Sequence, residues 1–509
     1  MTKNFYITTP IYYPSAKPHM GHAYSSIVSD FFARLKRIQG YEVFFLTGTD
    51  EHGQKIQRAA ELKKKDPLKF CDEISKTFEN LCKSLNLSNN DFIRTTEERH
   101  KKSVEHLWNV LEDRNEIYLS KYSGWYSVSD EAFYSNDEIE EIEGIKKSKT
   151  SGSNVEWVEE ESYFFKLSKW QEPLLKFYEE NPKFIQPESR KNEVVSFVKS
   201  GLKDLSVSRK TFSWGIKVPN DDNHVVYVWL DALTNYLSSL NYPDENNKLY
   251  KSFWPADLHI IGKDILRFHA VYWPAFLLAA NITPPKKVYG HGWILSGDEK
   301  MSKSKGNILD PIEIIKVYGL DPLRYYLLKE VSFGNDGSIS ETKLESCINS
   351  DLANNFGNLC QRVISFAEKN CSSLIPDHSF NDDDLKILNS LSNVDKIRTM
   401  IDNQDINQYM NFIIDRLFAS NKYFNDQEPW KKKNDKLRLS TIVYTALELI
   451  RKISILLYPV MPQTILKVFR AFNIDEKQIN ISSLKNNDFF KEKDNINKLD
   501  ILFKKIEND

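Results

Sequence analysis

A chain of 509 residues is too long for one hydrophobic core, so two to four domains are expected. Hydrophobic residues at 41% and charged residues at 28% exclude a disordered chain, and a formal net charge of −2 excludes a surface that is basic throughout. Any nucleic-acid contact must then use a local basic face.

Cys71, Cys82, Cys347, Cys360 and Cys371 form no CxxC pair and are too scattered for a disulfide framework, which predicts free thiols in a reducing cytoplasm. The N-terminus lacks the charged and apolar regions of a signal peptide, and the apolar run SILLYPVM is short and broken by Pro459. No membrane partner is expected.

Residues 4–9 (NFYITT) predict a short strand, followed by a loop carrying Pro10, Pro14 and Pro18. From Gly21 to Gln39 the residues Ile27, Val28, Phe31, Phe32, Leu35 and Ile38 recur at helical spacing, and Gly40 supplies a stop. EVFFLTGTDEHG reads as a buried strand running into a polar loop. Strand, loop, helix, strand opens a doubly wound parallel, Rossmann-like α/β sheet, whose ligands bind beyond the carboxyl ends of the strands. From about Ser120 to Pro219, aromatic-rich alternating stretches predict short antiparallel strands in an inserted β-rich module. The sheet pattern resumes with HVVYVWLDALTNY, DLHIIGKDIL and KVYGHGWILS. Beyond about Glu341, Leu352, Phe356, Leu359, Val363 and Phe366 alternate at spacings of four and three and open a C-terminal helix bundle. The predicted segments are 1–118, first half of the catalytic domain; 119–220, module; 221–340, second half; and 341–509, helical domain.

Two motifs carry chemistry. His19-Met20-Gly21-His22 lies where the first helix begins. A helix N-terminus offers unpaired N–H groups to phosphate, Gly21 leaves room for a flat base, and the two imidazoles can donate to phosphate oxygens. A chance tetrapeptide in a turn is the plain alternative. Lys300-Met301-Ser302-Lys303-Ser304-Lys305 is either a solvated lysine run or a mobile set of ammonium groups that neutralises a triphosphate.

HxGH near the start and KMSKS after the second half of the sheet resemble the signatures of class I aminoacyl-tRNA synthetases. With FYITTPIYYPSAKPHMGHAY, FLTGTDEHG, VYVWLDALTNY, IGKDILRFHAVYWPA and EKMSKSKGN in that order, the chain resembles the methionyl-tRNA synthetases over nearly its whole length. The resemblance implies activation of methionine by ATP with Mg²⁺, then transfer to tRNA(Met), with no covalent enzyme intermediate. It implies catalytic roles for His19, His22, Lys300 and Lys303. ATP contacts are implied at Met20, Gly21, Gly262, Asp264, His291, Gly292, Ile294, Ser302 and Ser304. For Asp264 a helix N-cap is the alternative.

The family's methionine pocket maps onto Ile11, Tyr13, Asp50, Trp229, Ala232, Leu233, Tyr236, Ile265 and His269. Asp50 is implied to take the ammonium, with Tyr13 and His269 near the thioether. On the residues alone, plain core packing is the better account of Trp229, Tyr236 and Ile265, and a satisfied buried histidine that of His269. A one-methylene rival loses only about 1–3 kcal/mol in an apolar pocket, so homocysteine remains a hazard. Asn358, Arg362 and Trp430 match the family's anticodon readers, with Lys431, Lys432 and Lys433 beside them for phosphates. An exposed charge and a helix-start anchor are the alternatives for Arg362 and Trp430.

One departure stands out. Many family members carry cysteine knuckles for Zn²⁺ in the module, whereas Ser127 and Asp130 occupy roughly the place of one pair, so no structural zinc is expected. A monomer is expected, because the chain ends at KKIEND without an appended dimerising domain. Synthetases for leucine, valine or cysteine, and a catalytically inert tRNA-binding scaffold, are the rival readings. The absence of a large editing insertion disfavours the first, and intact HxGH and KMSKS the second.

Overall fold

The computed structural model describes residues 3–142, 144–297, 299–300 and 309–507. It divides into two compact units. The sheet unit holds Asn4–Ser29 and Val43–Gly292; the helical unit holds Asp30–Glu42 and the described residues from Trp293 onward.

The sheet unit is built on β1 (Asn4–Thr8), β2 (Glu42–Thr49), β3 (Asp91–Arg94), β4 (Ile185–Gln186), β5 (Leu258–Gly262) and β6 (Val288–His291). They lie side by side in the order β3-β2-β1-β5-β6-β4. The pairs β2–β3, β1–β5, β5–β6 and β6–β4 are parallel, with Thr8 opposite His259 and Gly262 opposite His291. The apolar runs in β1, β2 and β5 are buried along nearly their whole length, as a parallel sheet covered on both faces requires. Strand order reverses between β1 and β5, and the crevice beyond their carboxyl ends is the switch point of a Rossmann-like fold. Helix α1 (Met20–Ile38) connects β1 to β2. Its apolar positions Ile27, Val28, Phe31, Phe32, Leu35 and Ile38 are all buried, and Gly40, at φ 86°, takes the left-handed stop that follows it.

The module is an antiparallel hairpin of Ile117–Ser127 on Glu156–Phe165, flanked by Ala132–Tyr134 and Leu205–Ser206. Cross-strand aromatic pairs hold it: Trp125 meets Trp157 edge-on at 5.1 Å, and Tyr118 stacks on Phe164 at 5.7 Å. One continuous core includes Tyr6 of β1, Phe165 of the module, Trp108, Trp229 and Trp273. The module therefore shares the sheet's core.

In the helical unit, α4 (Leu320–Glu330), α5 (Asn358–Cys371), α6 (Ile406–Asp426) and α7 (Lys436–Leu457) are the main helices; α2 (Gln54–Leu62) and α3 (Val228–Leu233) belong to the sheet unit. The Asp30 carboxylate is buried between Arg34 and Arg324, each at 2.7 Å, and Arg324 donates to the carbonyls of Pro459 at 3.0 Å and Val460 at 2.9 Å. On α7, Lys452 is buried and donates to the Leu484 carbonyl (2.7 Å), Ser392 Oγ (3.1 Å) and Asn487 Oδ1 (2.5 Å). The run predicted as one helix beyond Glu341 is interrupted: Ile348–Gly357 is wound as a π-helix before α5 begins.

Candidate active site

Past β1 the chain keeps pairing with β2: the Thr9 amide donates to the Leu46 carbonyl (3.0 Å) and the Tyr12 amide to Gly48 (2.9 Å). The Asp50 amide returns a bond to the Tyr12 carbonyl (2.9 Å). This rung sets Ile11 and Tyr13 beside Asp50 at the end of the central strands. The HxGH turn follows at the N-terminus of α1. His22 Nδ1 accepts the His19 amide (3.0 Å) and His19 Nδ1 accepts the Gly21 amide (3.1 Å), which leaves the proton of each neutral ring on Nε2. The two imidazoles lie 3.8 Å apart between centroids. Burial, then the charges of His19 and Lys55, push His22 well below the usual histidine range, which favours the neutral ring.

Around Asp50 the aromatic residues converge. Trp229, on α3, stacks on Phe268 at 3.7 Å and meets Tyr13 edge-on at 6.5 Å. Ala232 and Leu233 are buried on the same helix, Tyr236 follows one turn on, and Ile265 and Ile11 pack at the margin. His269 is fixed at both nitrogens: Nδ1 donates to the Ile265 carbonyl (3.0 Å), so Nε2 accepts from the Tyr236 hydroxyl (2.8 Å). Burial drives its imidazole down to about 4, and it stays neutral. Tyr13 Oη, Asp50 Oδ1 and Trp229 Nε1 are buried without a hydrogen-bond partner among the described residues. Buried polar atoms are nearly always paired, so three orphans in one cluster mark a place where a ligand completes the bonding.

On the other side of the switch point, Gly262 ends β5 with the Asp264 carboxylate over it; a Cβ there would fall 2.6 Å from Asp264 Oδ1. Asp264 is exposed inside a short turn capped by Gly262, so it is no N-cap. His291 ends β6, buried, with Nδ1 donating to the Gly292 carbonyl (2.7 Å) and Nε2 accepting from Ser25 of α1 (2.7 Å). Met20 is buried in the first turn of α1. Ile294 and Lys300 belong to the helical unit, on paired strands Ile294–Ser296 and Glu299–Lys300. Ser302, Lys303 and Ser304 lie outside the described residues.

Sequence reasoning missed three residues here. Asp231 of α3 is buried between His52 Nδ1 and His100 Nε2, each at 2.7 Å. Glu131 of the module, buried at φ 51°, accepts the Lys55 amide at 2.9 Å in the first turn of α2. Lys55 Nζ lies 4.9 Å over the Tyr13 ring and donates to the Ser129 carbonyl (3.1 Å). Asp-Ala-Leu, Asp-Glu-Ala and Gln-Lys-Ile carry no local signal of these contacts.

In the helical unit, Asn358 and Arg362 stand one turn apart on α5. Arg362 donates to Asn425 Oδ1 of α6 (2.6 Å) and lies 5.5 Å from the Phe424 ring centre, and the half-exposed Trp430 meets the same ring edge-on at 6.3 Å. Arg362 and Trp430 are thus brought to one aromatic platform.

In the module, two like-spaced turns stand together, Ser127-x-x-Asp130 and Ser148-x-x-Ser151. Ser127 Oγ accepts the Asp130 amide (3.2 Å) and Ser148 Oγ the Ser151 amide (3.3 Å). Asp130 joins the turns by accepting from the hydroxyls of Ser151 (2.5 Å), Tyr134 (2.8 Å) and Ser153. Hydroxyls around a single, already bonded carboxylate are a poor donor set for Zn²⁺, and no cluster of three His, Cys, Asp or Glu occurs among the described residues. These residues do not fit a zinc knuckle.

Residues 5–364 match the family model of tRNA synthetases class I (M), and residues 378–509 match that of the anticodon binding domain of methionyl tRNA ligase. The chain is 49% identical over 486 residues to the methionine–tRNA ligase of Rickettsia bellii, covering 94% of each, and 50% identical over 467 residues to that of Rhizobium meliloti, covering 91% and 90%. Its structure is similar to Mycobacterium tuberculosis methionyl-tRNA synthetase in complex with methionyl-adenylate (TM-score 0.96, 42% identity, 99% and 100% covered) and to the apo form (0.89, 39%, 100% and 99%).

Proposed function

The chain belongs to the methionyl-tRNA synthetases of class I, and from that premise we propose that it activates methionine with ATP and passes the aminoacyl group to tRNA(Met) for translation. The observation that carries this reading is the set of orphaned atoms, Asp50 Oδ1, Tyr13 Oη and Trp229 Nε1, clustered at the end of the central strands, where the HxGH turn follows β1. A buried carboxylate suits the substrate's ammonium. The two donors suit its sulfur or carboxylate, and the aromatic walls suit a polarizable thioether.

In this reading the methionine carboxylate attacks the α-phosphorus of ATP in line, and pyrophosphate leaves. His19 and His22 donate to the oxygens that gain charge. Gly21 and the N–H groups of the first turn of α1 accommodate the nucleotide, Asp264 binds ribose hydroxyls, and His291 and Gly292 border the adenine. Lys300 and Lys303 neutralise the leaving pyrophosphate, assisted by Mg²⁺ that enters with ATP. The terminal ribose of tRNA then takes the acyl group directly. Asn358 and Arg362 read anticodon base edges and Trp430 stacks on a base. The enzyme acts as a cytoplasmic monomer.

ATP–pyrophosphate exchange with a panel of amino acids tests the assignment. Methionine is expected to support it and leucine, valine and cysteine only feebly. Equal or better exchange with leucine overturns the assignment, and tRNA binding without any adenylate would restore the inert scaffold.

A further inference from the structure

Asp50 sits among acidic groups. Facing it are Tyr13 from the loop after β1, Glu51 from its own segment, Cys71, Glu131 from the module, Asp231 from α3 and Tyr236 beyond it, while the nearby His52 is turned to Asp231. None of these offers Asp50 a cation. Glu51 is engaged by Arg94 (2.7 Å) and Thr96 (2.5 Å), and the ammonium of Lys55 is engaged by the Tyr13 ring and the Ser129 carbonyl. Burial pushes Asp231 up, but His52 and His100 more than offset it and keep its carboxyl below the usual range, so it is a fixed negative charge. Asp50 itself is 2% exposed, with Oδ1 unpartnered among the described residues. Burial, then Asp231 and Glu131, raise its carboxyl well above the usual range, and the Tyr13 hydroxyl offsets only part of that rise. An uncompensated buried carboxylate is costly, and taking a proton removes that cost.

We propose that the free enzyme holds Asp50 protonated and that the entering ammonium of methionine drives this proton to solvent, with Asp231, pinned between His52 and His100, as the positioning residue that enforces the exchange. The inference rests on reading Asp50 as the ammonium's partner. The O–H bond of Asp50 breaks, the proton passes to the buffer, and the freed carboxylate accepts the substrate's N–H groups; no electrons change hands. The substrate thereby supplies the counter-charge that the protein withholds. A thioether acid without an amine cannot do so.

Calorimetric titration of the full-length enzyme with methionine, in buffers of different ionisation enthalpy, counts the protons. Release approaching one proton per methionine is expected in buffer below the raised pKa of Asp50, with Kd falling about tenfold per pH unit across that same range. Asp231→Asn is expected to release fewer protons and flatten the pH profile, and Asp50→Asn to bind weakly and release none. No proton release by the wild type, with Asp50→Asn still weakened, overturns the exchange but leaves the ammonium site standing. Undiminished methionine binding by Asp50→Asn overturns the site itself. Full release by Asp231→Asn removes Asp231 from the proposal; should that variant not fold, the wild-type proton count alone decides.

Discussion

Gly21→Ala separates positioning from folding, because the two should move in opposite directions. A Cβ at this position would stand 2.9 Å from His19 Cε1 and 3.1 Å from its Nδ1, inside the carbon contact distance of about 3.5 Å. The His19 ring must therefore swing away and give up the Gly21 amide it now accepts at 3.1 Å. Gly21 needs no left-handed backbone, since it lies within the first turn of α1. Alanine is the better helix former by up to about 1 kcal/mol, which in a unit of this size holds or raises the thermal midpoint by roughly 2–4 °C. Losing one placed donor at a developing oxyanion costs about 2.7–4 kcal/mol, a fall of about 10²–10³ in adenylate formation. Melting curves and ATP–pyrophosphate exchange on the same preparations give both numbers. Exchange within about threefold of wild type refutes the placement of His19; a midpoint that falls together with exchange assigns the glycine to folding.

Three further outcomes follow from contacts elsewhere. Trp430→Ala is expected to raise the KM for tRNA by about ten- to a hundredfold, the worth of one stacked base, and to leave exchange intact; loss of both would make the tryptophan structural. Burial lowers the Lys452 ammonium to about 8 against neutral oxygens. The unfolded chain then binds the extra proton above that pH, so wild-type stability gains on Lys452→Met by roughly 2 kcal/mol between about pH 7.5 and 9.5, as denaturant melts should record. At Asp130 burial raises the carboxyl, but bonds from Ser151, Ser153, Tyr134 and Ser127 outweigh it and hold it below its usual value. Asp130→Ala should destabilise the module by about 2–4 kcal/mol, read as faster hydrogen exchange over 127–153 at constant pH, and in the wild type the protection factors there should fall as acid protonates this carboxylate.

The local pattern of the chain was legible because short-range physics sets it. The apolar positions of Ile27 to Ile38 placed α1 to within a residue at each end, and the strand–loop–helix–strand order placed the HxGH turn beyond β1. Asn358 and Arg362 were legible as an i, i+4 pair, but not the meeting of Arg362 and Trp430 on Phe424, which comes from α6. The π-helical winding of Ile348–Gly357 escaped periodicity, since its Leu352 and Phe356 are buried in either winding. Least legible were Asp231 with His52 and His100, and Glu131 with Lys55. These contacts join residues 76 to 179 positions apart, and a single sequence holds no trace of them.

The clasp of the inserted module has a consequence for how the enzyme is made. Its two turns are drawn together by hydroxyls around one carboxylate, and none of the five cysteines lies between residues 119 and 220. Closing it exposes no thiolate to peroxide. Oxidants that dismantle a thiolate knuckle find no cysteine to act on there, so the turns of this part of the molecule stay closed through the hydroxyl bonds to Asp130 whatever the redox conditions around it.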